Sequence, residues 1–281
     1  MKVSGARAAP AYRHDRKKAY EHGAEDLPPV RREDGAGHGG GTGFGAEIAV
    51  RAAREGARVG VHYNSSKQGA ERTADRVREA GGEAFVVQAD ISSWDAIRGL
   101  ADEAFAQAGT LDVLVNNVGD VATEQMSWRA LTQESLDRVI DVDVKGTLLM
   151  THEFGSRMLD QGHGAIVNIG STVVVRGSAR APQYAAAKYG LLGITKSYAA
   201  AFAPSVRVNT FAPGFMETGA TLEREDWKSG RREKLIAQTP MGTIPPPEAV
   251  AGTALFLATE DAAHITGAYM LADGGFNMVG A

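Results

Sequence analysis

From about residue 39 onward, short β-branched apolar runs alternate with longer stretches of helical periodicity. The runs lie at 57–63, 84–88, 111–115, 165–169, 206–211 and 268–271. Between them, Ala-rich and Glu/Arg-rich stretches at 66–80, 93–107, 131–160, 184–202 and 247–259 space their apolar residues as one face of a helix. Strand then helix, repeated, predicts βαβ units and an α/β fold with a parallel sheet covered on both faces. No boundary divides the chain into two domains, and no repeat has a solenoid period. The stretch 215–247 breaks the rhythm with Trp227, many charges and the run Pro245-Pro246-Pro247. A long insert after a strand end reads as a lid or binding loop, with a solvated excursion as the plainer alternative.

Composition narrows the function. The chain has 281 residues, 43% of them hydrophobic, enough for one large core. Its formal net charge of −4 argues against a general nucleic-acid binder. There are no cysteines, so no disulfide, thiolate metal site or cysteine nucleophile is expected, which fits a reducing compartment such as the cytoplasm. No apolar run approaches the roughly 20 residues that cross a bilayer, and the first residues lack the apolar core of a secretory signal. The seven histidines show no metal-ligand spacing, so no metal is expected.

The most informative chemistry is Tyr184-Ala-Ala-Ala-Lys188, which puts a phenol and an ammonium on one helix face, a turn apart. A free tyrosine, with a pKa of about 10, is a poor proton donor or acceptor at neutral pH, and a nearby cation stabilises its phenolate. Ser171 stands thirteen residues upstream, at the end of an apolar run. A hydroxyl at a strand end followed by a Tyr/Lys helix can hold a carbonyl and hand it a proton. A second signal is the loop from His38 through Gly39, Gly40, Gly41, Thr42, Gly43, Phe44 and Gly45 into a helical pattern. Glycines there let the backbone approach a pyrophosphate, and the helix N-terminus offers N–H donors. After the next predicted strand, where an acidic residue would bind ribose hydroxyls, the chain reads Asn64-Ser65-Ser66-Lys67. Hydroxyls and a cation accept a 2′-phosphate, so NADP is expected over NAD, with a polar turn of no cofactor role as the alternative.

Taken in order, these residues resemble the short-chain dehydrogenase/reductase family, especially its 3-oxoacyl-acyl-carrier-protein reductase-like members, over about residues 38–279. Gly39, Gly43 and Gly45 look like its Thr-Gly-x-x-x-Gly-x-Gly loop. Asp90, with Ile91 beside it, matches the position that caps the adenine. Asn116-Asn117-Val118-Gly119 is similar to the Asn-Asn-Ala-Gly that steadies the sheet beside the cofactor. Ser171, Tyr184 and Lys188 match the catalytic set in order and spacing. Pro213-Gly214 with Thr218 resembles the segment touching the nicotinamide, and Asp273-Gly274-Gly275 the C-terminal turn. The resemblance implies a Rossmann-like doubly wound sheet and hydride transfer between NADP(H) and a ketone or secondary alcohol. Ser171 would hold the carbonyl oxygen, Tyr184 would donate the proton, and Lys188 would hold the nicotinamide ribose. It also implies a homotetramer or homodimer joined through the helices at 131–160 and 184–202. A 3-oxoacyl thioester on an acyl carrier is one substrate; small cyclic ketones, steroids and sugars are others. Two rivals stand beside this reading: a catalytically silent dinucleotide-binding protein and an NAD-dependent alcohol dehydrogenase of the same family.

Two departures stand out. The family has an asparagine where this chain has Asp143, in Asp141-Val142-Asp143-Val144-Lys145-Gly146. An aspartate adds negative charge that opposes the phenolate if it lies near Tyr184, or pairs with Lys188; reduced activity is expected either way. The second departure is at 30–38, where the first strand should precede the glycines. Charges and glycines there cannot make a buried central strand, so that strand is expected to be disrupted or missing. Codons allowed for Val30 through His38, read one nucleotide later, can encode Phe-Asp-Gly-Lys-Met-Ala-Leu-Val-Thr, a proper hydrophobic entry strand. A single-base deletion would then have scrambled everything before Gly39, leaving 1–37 as an atypical, disordered segment ahead of a catalytic domain at 38–281. A genuine basic arm carrying Lys2, Arg7, Arg13, Arg16, Lys17 and Lys18, or an organelle-targeting segment, are the competing accounts.

Overall fold

A computed structural model describes the backbone of residues 27–31 and the full structure of residues 43–119 and 127–278. Among the described residues, seven strands form one parallel sheet: β1 (Leu27–Arg31), β2 (Arg58–Tyr63), β3 (Glu83–Gln88), β4 (Val113–Asn116), β5 (Gly164–Ile169), β6 (Val206–Pro213) and β7 (Tyr269–Ala272). Their spatial order is β3-β2-β1-β4-β5-β6-β7. Chain direction across the sheet therefore reverses between β1 and β4, and a doubly wound sheet opens a crevice at that switch point, beyond the carboxyl ends of the strands.

The alternation along each strand decides which helix it meets. Val113 and Val115 of β4 face one core and Leu114 the other; Val167 and Ile169 of β5 face the first, Ile166 the second. The first face is covered by α1 (Phe44–Arg54), α2 (Lys67–Glu79) and α10 (Pro247–Phe256), the second by α3 (Trp94–Ala108), α5 (Thr147–Gln161) and α7 (Pro182–Phe202). Strands buried on both faces have no polar side to spare, which is why their sequences read as near-continuous apolar runs. The remaining helices are α4 (Gln133–Val139), α6 (Val173–Arg176), α8 (Gly219–Leu222) and α9 (Arg232–Gln238). No helix among the described residues is long and apolar enough to cross a membrane.

Two sequence expectations need correction. The pattern predicts one helix over 131–160, but the structure breaks it into α4, a π-helical turn at Ile140–Gly146, and α5. The wide turn carries Asp143, which is fully buried, and π-turns concentrate at functional sites. Gly146 closes it because a Cβ there would meet Ile91 Cδ1 at 2.8 Å and Ile91 O at 3.0 Å. The central strand, expected to be disrupted or missing at 30–38, is present as β1 at Leu27–Arg31. Its pairing with β2 shifts register between Leu27 and Val30, across Pro28 and Pro29, and a single register pair, Val30 with Val115, joins it to β4. Proline has no N–H for the ladder, which accounts for the interruption. The disorder expected over 1–37 and the charged run at 33–38 fall outside the described residues apart from β1.

Candidate active site

The crevice at the strand ends holds a cleft of about 290 Å³. Phe44, Asn117, Gly119, Ser171, Tyr184, Lys188, Pro213, Gly214 and Thr218 all line it, so nine of the residues singled out from the sequence converge on one surface.

Ser171 follows β5. Its carbonyl accepts a hydrogen bond from the Tyr269 hydroxyl, reaching across from β7, and its Oγ accepts one from Val173 N at 3.3 Å. Burial, with smaller contributions from Tyr184, Asp273 and Tyr189, pushes the Tyr269 phenol well above its ordinary range, so it stays a donor and keeps Ser171 in place. Tyr184 lies in the first turn of α7, which proline starts by fixing φ where no N–H is needed. One turn on, Lys188 Nζ sits 5.5 Å from the centre of the Tyr184 ring. That ammonium is 4% exposed; it donates to Ile169 O at 3.4 Å and is 2.9 Å from Asp143 Oδ1. Asp143 thus takes the pairing that the sequence left as one of two alternatives, with Lys188 rather than loose beside the tyrosine. Both charges press against Gly119, where a Cβ would come within 2.6 Å of Asp143 Oδ1 and 2.7 Å of Lys188 Nζ. Only glycine fits between the ion pair and the cleft.

Behind this wall runs a buried polar chain that sequence reading touched only at Asn116. Asn116 Nδ2 donates to Thr151 Oγ1 at 3.2 Å and to Asn168 Oδ1 at 2.9 Å. Asn168 Nδ2 donates to Thr195 Oγ1 at 2.9 Å, and Thr195 shares a hydrogen bond with Thr210 at 2.7 Å. The chain ties β4, β5 and β6 to α5 and α7, so the helix bearing Tyr184 is locked to the strand preceding Ser171. Such networks fix a single arrangement because any member left unsatisfied is costly.

At the other end of the cleft, Gly43 precedes α1 in an extended conformation and offers no side-chain cap, leaving the helix start as bare backbone. Phe44 turns its ring inward onto Phe211, 5.9 Å between centres, and Gly45 is buried behind it. Asn64, Ser65, Ser66 and Lys67 lie where β2 gives way to α2, outside the cleft wall; Asn64 O accepts from Gln88 Nε2 at 3.0 Å. Asp90 Oδ1 accepts from Ser92 N at 2.9 Å and Ser92 Oγ at 2.7 Å, shaping the turn after β3, while Ile91 is buried against Gly146. Val118 packs on the core face and Asn117 is buried at the cleft. Gly214 N donates to Ala272 O at 2.9 Å, and a Cβ there would strike Asp273 Cα at 2.7 Å. Thr218 Oγ1 accepts from Thr221 N at 3.1 Å as the cap of α8. Gly39, Gly41 and Thr42 lie outside the described residues.

These residues suit a nicotinamide dinucleotide. A bare helix N-terminus, glycines where a Cβ would close the wall, and a switch-point crevice make a cradle for pyrophosphate and an aromatic ring. The pattern missed several neighbours: Tyr269 reads as a strand residue, and Arg180, Arg224, Trp227 and Arg231 read as loop. All but Tyr269 line the cleft. The concentration of arginines around the one tryptophan of the 215–247 insert was the available signal.

Known proteins resemble this chain over most of its length. A family model described as enoyl-(acyl carrier protein) reductase matches residues 37–277. An uncharacterised oxidoreductase of Methylorubrum extorquens is 40% identical over 234 residues, 83% of this chain and 93% of that one. The 3-oxoacyl-acyl-carrier-protein reductase FabG of Staphylococcus aureus is 35% identical over 237 residues, 84% of this chain and 94% of that one. A variant of actinorhodin polyketide ketoreductase, solved with NADPH, superposes with a TM-score of 0.80 at 30% identity, covering 90% of this chain and 97% of the other. The chain belongs to the short-chain dehydrogenase/reductase family, as a FabG-like member. It is an oxidoreductase that moves a hydride between a nicotinamide dinucleotide and a ketone or secondary alcohol.

Proposed function

We propose that the protein reduces a ketone with NADPH, with Ser171 and Tyr184 holding the carbonyl oxygen and Lys188 supporting the proton transfer. The observation that carries this is the convergence of Ser171, Tyr184 and Lys188 on one cleft wall beside the α1 N-terminus. The dinucleotide, when bound, supplies the hydride for reduction and accepts it in the reverse direction. Gly43 to Gly45 would hold its pyrophosphate, with Gly39, Gly41 and Thr42 completing the loop. Asn64, Ser65, Ser66 and Lys67 would take the 2′-phosphate, Asp90 and Ile91 the adenine. Asn117, Val118, Gly119, Pro213, Gly214 and Thr218 would surround the nicotinamide, and Lys188 its ribose.

On the protein side, the Ser171 hydroxyl donates to the carbonyl oxygen and orients it. Tyr184 gives its phenolic proton to that oxygen as the carbon is reduced, and recovers a proton afterwards. The Lys188 ammonium favours the phenolate as it forms. Asp143, at 2.9 Å, holds the ammonium in place and offsets part of its field; it is a positioning residue. Ile140 between α4 and α5, Leu148 on α5 and Tyr189 on α7 expose 38%, 39% and 49% of their surfaces, which supports assembly into a homodimer or homotetramer through these helices. A cysteine-free chain fits the cytoplasm.

The test is Tyr184→Phe. A positioned general acid is worth about 10²–10⁴-fold, so ketone-dependent NADPH oxidation should fall by that factor while NADPH still quenches on binding. Undiminished turnover would end the proposal. Running the parent with NADPH and NADH in parallel checks the cofactor, and a strong NADH preference overturns the reading of Asn64 to Lys67.

A further inference from the structure

Tyr184 and Lys188 are carried by α7, but Ser171 stands between the end of β5 and the start of α6, on a link that neither element fixes by itself. A residue so placed keeps its position through the bonds its own backbone makes. Three successive residues are held here from outside the link. Lys188 Nζ donates to Ile169 O at 3.4 Å, Gly170 N donates to Phe211 O at 2.7 Å, and the Tyr269 hydroxyl donates to Ser171 O. The third tie is a side chain from β7, two strands away in the sheet. Strand register brings it there, because Asn168 pairs with Thr210 and Thr210 with Tyr269. Gly170 leaves room for the ring: a Cβ at 170 would meet Thr210 Cγ2 at 2.6 Å and Tyr269 Cε2 at 3.3 Å. Another contact closes the far end of the same segment. Arg176 Nη2 donates to Phe276 O at 2.6 Å, with its guanidinium 4.6 Å from the centre of the Phe276 ring. The C-terminal stretch 269–276 therefore clasps 171–176 at both ends. Between the clasps, Ser171 Oγ accepts from Val173 N at 3.3 Å, which leaves its own O–H proton to donate elsewhere.

We propose that Tyr269 is a positioning residue for the reaction: by holding the Ser171 carbonyl, its hydroxyl fixes the Ser171 side chain where the substrate oxygen must meet it. This rests on the reading of Ser171 given above and adds a residue that stands behind it. Tyr269 is not among the residues lining the cleft, so it acts through Ser171. A loosely held donor loses rate before it loses affinity, because alignment with the reacting oxygen matters most in the transition state. A side chain locked by a partner behind it gives that alignment. The last strand of the sheet thereby contributes to the chemistry of a site built on β5 and α7.

The experiment removes the hydroxyl alone, with Tyr269→Phe, and restores a donor with para-aminophenylalanine at the same position. Ser171-Thr172 is the only serine–threonine step in the chain. Labelling serine at its carbonyl carbon and threonine at its nitrogen therefore gives one cross-peak that reports the Ser171 carbonyl. That peak should move to lower carbon frequency in Tyr269→Phe and return with the amino analogue. Turnover is followed by NADPH absorbance on the fastest of ethyl acetoacetate, acetoacetyl-coenzyme A and cyclohexanone. In Tyr269→Phe, kcat should fall roughly three- to tenfold, the worth of one net hydrogen bond, with NADPH affinity unchanged and kcat recovered by the amino analogue. In a Ser171→Ala background the same change should do almost nothing further, since groups acting as a unit are not additive. An unmoved cross-peak, a parent-like kcat for Tyr269→Phe, or an equal loss in both backgrounds overturns the proposal. Undiminished turnover in Ser171→Ala sinks the carbonyl reading and this proposal with it, whereas an impaired Ser171→Ala beside an unimpaired Tyr269→Phe sinks the strut alone.

Discussion

The two halves of the sheet are built to different standards. From β4 to β6 the strands pair in unbroken register, six residue pairs between β5 and β6 alone. The Asn116–Asn168–Thr195–Thr210 chain runs through the same half beneath Ser171 and Tyr184. On the other side of the switch point, β2 and β3 are equally regular, but β1, which must join the halves, is a five-residue strand with a register shift. The geometry of the proposed Ser171 and Tyr184 site is therefore anchored within one half, by groups that do not depend on β1. The proposed cofactor loop is expected to depend on it, because its glycines follow β1 in the sequence. Proton chemistry and dinucleotide affinity should be separable in this protein to a degree that an evenly built sheet would not allow.

The largest effect is expected from rebuilding the weak element. Replacing 30–38 with Phe-Asp-Gly-Lys-Met-Ala-Leu-Val-Thr, the string the shifted reading frame spells, supplies a hydrophobic central strand directly before the glycines. A few newly buried side chains at about 1.5–3 kcal/mol each should raise Tm by ~10 °C and tighten NADPH binding. No change in either would mean that β1 at Leu27–Arg31 already does the work, and the contrast between the halves would dissolve. Sequencing the gene across these codons tests the deletion separately.

Asp143→Asn probes the strong half next. Breaking a buried ion pair costs about 3 kcal/mol, read as a lower urea midpoint. Removing the charge that offsets Lys188 should also raise kcat several-fold and move the pH–rate profile to lower pH. An unchanged profile would show that the 2.9 Å pair holds Lys188 without modulating its field. Asn168→Ala leaves Asn116 and Thr195 without their shared partner, and should cost about 2 kcal/mol with a fall in kcat but little change in NADPH affinity. If dinucleotide binding falls equally, the halves are coupled after all. The smallest effect is alkaline. The folded protein keeps Tyr269 protonated above its ordinary value of about 10, while the unfolded chain ionises there. Folded protein then binds more protons, so stability falls as pH rises past 10, and Tyr269→Phe should flatten that fall in Tm measured from pH 8 to 11.

Much of the site was legible because its parts follow local rules. Tyr184 and Lys188 share a helix face by periodicity, and Ser171 sits at the end of a run that can only be a buried strand. Six of the seven strands announced themselves as apolar runs. The π-turn was not legible, because its residues keep a helical pattern and the wide turn arises from packing Gly146 on Ile91. The central strand was hidden for another reason: Leu27–Arg31 has two prolines and no alternation, and only the slot between β2 and β4 makes a strand of it. Tyr269 looked like one more core residue until its hydroxyl met the Ser171 carbonyl.

The chain's own periodicities determined the α/β class, the order of its elements and the placing of Tyr184 and Lys188 on one helix face, since each depends on residues close in sequence. The pairing of Asp143 with Lys188, the need for glycine at 119, and the gathering of Arg180 with Arg224 and Arg231 depend on segments 24 or more residues apart. Those distances are closed only when the sheet folds, because charge and close contact act through space and leave no trace in spacing along the chain.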